Sequence, residues 1–70
     1  MRLISQNKEI DINYNNCVLK VNTIGIIAYS PNGMDYIMGK YDSHERAIEV
    51  LMDVRSEYQM KHKVFNFPKL

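Results

Sequence analysis

The stretch from Asp42 to about Met60 constrains the fold most, because it is the longest uninterrupted helical pattern in the chain. At about 100° per residue, five of its apolar side chains fall within a stripe roughly 100° wide. We predict that Asp42 caps this helix and that Glu45, three residues later, completes a capping box. A helix of this length is marginally stable alone, so the stripe is expected to pack against strands. The stripe comprises Ala47, Val50, Leu51, Val54 and Tyr58, with Ile48 at its margin.

The residues on either side of the helix have the patterns of short strands separated by turns. Ile10 and Ile12 alternate with polar residues, which is typical of a half-buried strand. Pro31-Asn32-Gly33 is the clearest turn, and Gly25 predicts a bulge or a close backbone approach within its strand. The segments predicted as strands are 2–5, 9–13, 17–21, 24–30, 34–40 and, after the helix, 63–67.

Together these elements predict a single two-layer α+β domain that spans residues 1–70. An antiparallel β-sheet of about five or six short strands is expected, with the helix at about 42–60 packed on one face. A chain of 70 residues buries only about 60% of its unfolded surface. Pairing with a second copy, as a homodimer or a higher oligomer, is one expected way to bury more.

The composition argues against several functional classes. Hydrophobic residues at 46% and charged residues at 24% are typical of a globular domain, and a net charge of +1 argues against a strongly basic nucleic-acid binder. The single cysteine allows no internal disulfide, which is typical of a reducing compartment. No apolar run suits a signal peptide or a membrane span, so we expect a cytoplasmic protein and no membrane partner.

No arrangement of residues in the sequence predicts catalysis, a metal site or a cofactor. Cys17, His44 and His62 are the only soft metal ligands, and they lie on separate predicted elements without ligand-like spacing. Cys17 at the start of a strand has the character of small apolar filling. None of the three glycines opens the helix as a phosphate loop would require. We therefore predict that the protein is not an enzyme.

The outward face of the predicted helix carries acidic residues spaced four apart. Like charges at this spacing repel by a few tenths of a kcal/mol per pair. One interpretation is a solvated face, in which Arg46 and Lys61 ease the repulsion; the other is a strip that meets a basic partner surface. Met52 lies outside the buried stripe, and an unbranched methionine suits contact with a partner. The predicted partner-binding residues are Glu45, Glu49, Met52, Asp53 and Glu57.

A second set of residues suggests a site for a small ligand. Basic residues beside aromatic ones can bind nucleotides or single-stranded nucleic acid. The segment 61–63, near Phe65 and Phe67, also allows the plainer interpretation of a charged helix end above core phenylalanines. A nucleotide site would need cations facing tyrosines across a subunit boundary. The ligand-binding residues under this alternative are Tyr36, Arg46, Arg55 and Lys61.

Four stretches carry a resemblance to known proteins: residues 2–7, residues 10–14, Gly39-Lys40-Tyr41 leading into the helix, and residues 64–68. Together they resemble small uncharacterised proteins of bacteriophages, prophages and mobile elements of low-GC Gram-positive bacteria. The shared motifs are structural and bring no site residues with them. The resemblance implies a protein of the host bacterium's cytoplasm that acts as a counter-defence or host-takeover inhibitor.

The sequence thus predicts a non-enzymatic phage-type binding protein that occupies a host protein. The candidate target is an enzyme of host defence that handles nucleic acid. Two alternatives stay open at this point. One is an oligomeric sponge for signalling nucleotides, and the other is a small nucleic-acid-binding regulator.

Overall fold

The computed structural model describes residues 1–70 as six short strands, one α-helix and one 3₁₀ turn at Tyr14–Asn16, which confirms the predicted α+β class. No helix in it combines the length and the apolar composition that crossing a membrane would require. The strands are β1 (Arg2–Ile4), β2 (Asp11–Asn13), β3 (Val18–Asn22), β4 (Gly25–Tyr29), β5 (Asp35–Lys40) and β6 (Val64–Asn66). The helix is α1 (His44–Gln59).

The strands form two three-stranded sheets, ordered β2-β1-β6 and β3-β4-β5. All neighbouring pairs are antiparallel except β1 and β6, which run parallel with Leu3 opposite Phe65. The sequence pattern predicted antiparallel pairing throughout. A parallel neighbour needs a long crossover connection, and here the whole of β2 to α1 lies between the two strands.

One core of eleven buried apolar residues lies between α1 and the inward faces of both sheets. Ala47, Val50, Leu51 and Val54 form the buried face of α1, as predicted. Tyr58 is the exception, because 39% of its surface is exposed. Its ring stacks on Tyr14 of the 3₁₀ turn, with ring centroids 4.3 Å apart, instead of packing on a sheet.

The helix begins one residue later than the predicted cap. Ser43 is the N-cap, since its hydroxyl accepts a hydrogen bond of 3.0 Å from the backbone N–H of Arg46. The prediction of Asp42 as the cap was wrong, and so was the capping box, because its third position holds Arg46 instead of Glu45. Glu45 lies in the first turn, where its charge suits the positive end of the helix dipole.

Two details of the strands also differ from the prediction. The bulge predicted at Gly25 lies instead on β5, where Met38 is the extra residue between Ile37 and Gly39. The second strand starts at Asp11 because earlier backbone N–H groups bind side chains. The N–H of Ile10 donates to the Ser5 hydroxyl at 3.0 Å, which holds this segment in a turn.

Gln6 joins the two sheets by acting as a substitute for a neighbouring strand along the edge of β5. Its backbone N–H donates to the Met38 carbonyl at 2.7 Å. Its side-chain Oε1 accepts from the Lys40 N–H, and its Nε2 donates to the Lys40 carbonyl, both at 3.0 Å. The same Nε2 donates to the Pro68 carbonyl at 3.1 Å. One amide side chain therefore ties β5 to both ends of the chain.

Tyr41 follows β5 and fills the space beside this contact. Only 2% of its surface is exposed, and its hydroxyl donates to the Pro68 carbonyl at 2.9 Å. The ring crosses Gly39, where an added Cβ would lie 2.7 Å from the tyrosine oxygen. Glycine is therefore required at that position. Burial raises the pKa of Tyr41 to about 12.

The Gln6→Ala variant should lose about 1–3 kcal/mol of unfolding free energy, because it leaves backbone groups of Lys40 without a partner. Urea denaturation followed by circular dichroism measures this. Gln59→Ala, at the exposed end of α1, is the matched control and should change stability by less than about 0.5 kcal/mol. An equal effect of both variants would contradict the role given to Gln6.

The raised pKa of Tyr41 predicts that the folded protein loses stability at alkaline pH. Its pKa is raised from 10.0 to about 12 in the folded protein, so its contribution is complete below pH 10 and is lost as the pH rises through 12. Unfolding midpoints between pH 9 and about 12 should fall more steeply for the wild type than for Tyr41→Phe. Parallel curves for the two proteins would show that the tyrosine ionises as readily folded as unfolded.

Candidate functional site

The predicted acidic strip lies on the solvent side of α1, away from the core. Glu45, Glu49 and Asp53 are exposed, and Glu57 is half-buried. Arg46 contacts Glu49 at 3.2 Å, and Glu57 Oε1 accepts a hydrogen bond of 2.6 Å from Nδ1 of His62. Glu45 and Asp53 make no ion pair. Three carboxylates of the strip therefore face solvent along the first three turns of the helix.

Two exposed apolar side chains lie next to these carboxylates. Met52 is 58% exposed and Ile48 is 39% exposed, and their spacing of four residues places them in a row along the helix. The sequence predicted Met52 as a contact residue, whereas Ile48 appeared only at the margin of the buried stripe. We call the surface formed by Glu45, Ile48, Glu49, Met52 and Asp53 the outer helix face.

The residues of the alternative ligand site do not come together within one chain. Arg46 and Arg55 are separated by about 14 Å along the helix axis. Tyr36 is half-buried on β5 and packs against the core. Lys61 lies beyond the end of α1. A nucleotide site built across a subunit boundary from these four residues stays a prediction.

The predicted self-association also stays a prediction, and one sheet face offers it a surface. On the side of the β3-β4-β5 sheet away from α1, the strand register aligns Val18 with Tyr29 and Ile27 with Ile37. Val18 is 58% exposed and Ile37 is 52% exposed. The same face carries Lys20, Asn22 and Asp35, so it combines exposed apolar side chains with polar ones, as protein contact surfaces do.

The nucleophilic and metal-binding residue types are dispersed over the structure. Cys17 is half-buried with its Sγ 3.7 Å from the Tyr14 carbonyl oxygen. Burial raises the pKa of its thiol, which lowers the thiolate fraction. His44 contacts the carbonyl oxygen of Thr23 at 2.7 Å. No group of three His, Cys, Asp or Glu side chains is arranged to hold a metal ion.

A basic groove of about 550 Å³ opens where α1 ends beside β1. The sequence placed the charges of residues 61–63 together but missed Arg2, which reaches them only through the parallel pairing of β1 and β6. The N–H of Arg2 donates to the Lys63 carbonyl at 2.8 Å, next to that pairing. The residues that form what we call the basic groove are Met1, Arg2, Tyr58, Gln59, Lys61, His62 and Lys63.

Lys61 has a left-handed backbone, with φ at 62°. It occupies the position after the C-cap of α1, where glycine is usual. Its N–H donates to the Tyr58 carbonyl at 3.0 Å, and the N–H of His62 donates to the Glu57 carbonyl at 3.1 Å. This pair of bonds is the Schellman motif. A lysine here costs about 1 kcal/mol of backbone strain relative to glycine.

The chain therefore presents two charged surfaces, the outer helix face and the basic groove. They lie on the side and at the C-terminal end of the same helix. Comparison with protein-family models, with curated proteins and with solved structures found no significant match.

The Lys61→Gly variant should raise the unfolding free energy by about 0.5–1 kcal/mol, because glycine adopts the left-handed conformation without strain. The matched control is Lys63→Gly, which is exposed and has no left-handed backbone, and it should lower stability by a few tenths of a kcal/mol. Urea denaturation of both variants measures the difference. Destabilisation by Lys61→Gly would mean that the lysine side chain contributes more to folding than its backbone costs.

Proposed function

We propose that this chain is a non-enzymatic binding protein that occupies a basic surface of another protein through its outer helix face. The observation that supports this is the juxtaposition of Ile48 and Met52 with three solvent-facing carboxylates on one helix. On the opposite face of α1, Ala47, Val50, Leu51 and Val54 are buried in the core. The outer face is therefore available for recognition without any rearrangement of the fold.

The chemistry of this face matches that of a protein interface. Apolar side chains supply contact area that loses water on binding, and the polar residues around them set orientation. The exposed carboxylates attract a positively charged partner and speed its association. Because α1 is already ordered by packing, binding needs no further ordering of the backbone.

A nucleic-acid-handling enzyme of the host is the proposed target. Proteins that bind nucleic acid carry basic surfaces for the phosphate backbone, and an acidic helix is complementary to such a surface. A protein bound there would exclude the nucleic acid from its own site. The resemblance to small phage proteins favours a counter-defence or host-takeover role in the bacterial cytoplasm.

The double variant Glu49→Lys/Asp53→Lys should weaken partner binding by about ten-fold or more, because it places positive charge against a basic surface. The measurement is quantitative pull-down of partner proteins from host lysate with mass spectrometry. The ion pair that Glu49 loses is exposed, so the fold should be retained, and an unchanged circular dichroism spectrum checks this.

The matched control is Glu9→Lys/Asp35→Lys, which makes the same change in net charge at exposed positions outside α1. It should retain the same partners at wild-type levels. Retention of partners by the helix variant, or equal loss with the control, would contradict the proposal. In the first case the helix face does not bind, and in the second the attraction depends on overall charge alone.

A further inference from the structure

We propose that the basic groove is a binding site for a nucleoside phosphate. This goes beyond the proposed function, since it uses the opposite end of α1 and the opposite sign of charge. The largest cavity in the protein is lined by four basic side chains and contains no carboxylate among its lining residues. Its volume of about 550 Å³ lies within the usual range for small-ligand sites.

Two of the four basic side chains in the groove are free of ion pairs and available to a ligand. Neither Lys61 nor Lys63 makes an ion pair. Arg2 is held by Asp11 through Nε at 3.2 Å and through Nη2, which leaves Nη1 free of that contact. His62 is engaged with Glu57. Two free lysines and an anchored guanidinium therefore offer donors that suit phosphate oxygens.

The backbone around these cations is fixed before any ligand binds. The Schellman motif holds Lys61 and His62, and the bond from Arg2 to Lys63 ties the opposite wall to the same segment. Binding therefore needs little further ordering of this segment.

Tyr58 supplies an aromatic wall beside the cations. Its ring stacks on Tyr14, and its hydroxyl donates to Asn15 Oδ1 at 3.0 Å, so its orientation is set within the protein. Tyr58 lines the groove, and 39% of the surface of the residue is exposed. Stacking of bases on aromatic side chains next to cations is the usual mode of sequence-independent nucleotide recognition. A base joined to phosphates matches both features.

The test is a titration of the full chain with ATP and, separately, with inorganic tripolyphosphate, followed by calorimetry and by amide chemical shifts. ATP should shift amides of Tyr58 and residues 61–63 and should bind about five-fold or more tightly than tripolyphosphate, because the base adds contact with Tyr58. Absence of these shifts would overturn the proposal. Equal affinity for the two ligands would also overturn it, since the groove would then recognise phosphate alone.

The variant Lys61→Glu/Lys63→Glu should weaken ATP binding by about ten-fold or more. Its matched control, Lys40→Glu/Lys69→Glu, makes the same charge change at exposed positions outside the groove and should bind ATP within about two-fold of the wild type at 0.15 M salt. Equal weakening by both pairs would overturn the proposal. Thermal unfolding of each variant checks that the fold is retained.

Discussion

The backbone groups along the edge of β5 need hydrogen-bond partners, and the rest of the structure depends on how they are supplied. Neither three-stranded sheet is expected to be stable without a second layer. Gln6 provides an amide that pairs with both backbone groups of Lys40 and also reaches Pro68. Tyr41 places a second donor on the same Pro68 carbonyl. These bonds bring both sheets onto one helix and so create a single core.

The packing of both sheets on one helix also determines which surfaces are left for recognition. The C-terminal segment contacts Gln6 and Tyr41, and β6 in the same part of the chain pairs in parallel with β1. The pairing places Arg2 next to Lys63, which makes one wall of the basic groove. The core between the sheets uses the inner face of α1 and leaves its outer face in solvent. Both candidate sites are therefore consequences of the packing and need no specialised loop.

Local patterns in the sequence were sufficient for the helix, the number of strands and the turn at Pro31-Asn32-Gly33. They were insufficient wherever distant residues meet. Asp42 and Ser43 are both good capping residues, and only the packed helix selects the second. The parallel β1–β6 pair and the link made by Gln6 join residues about sixty positions apart. The groove depends on that pairing, so no periodicity could have placed Arg2 in it.

The net charge of +1 conceals two opposed surfaces on one helix. Carboxylates near the start of α1 and cations just beyond its end each suit the helix dipole, so separating the charges in this way costs the fold little. About 9 Å of helix separates Asp53, the residue of the outer helix face nearest the groove, from Gln59 at the groove, and screening at 0.1 M salt acts over about 10 Å. The two surfaces should therefore be weakly coupled through their charges. A phosphate bound in the groove would add negative potential near the outer helix face and slightly favour a basic partner there, and salt would weaken both interactions and the coupling between them.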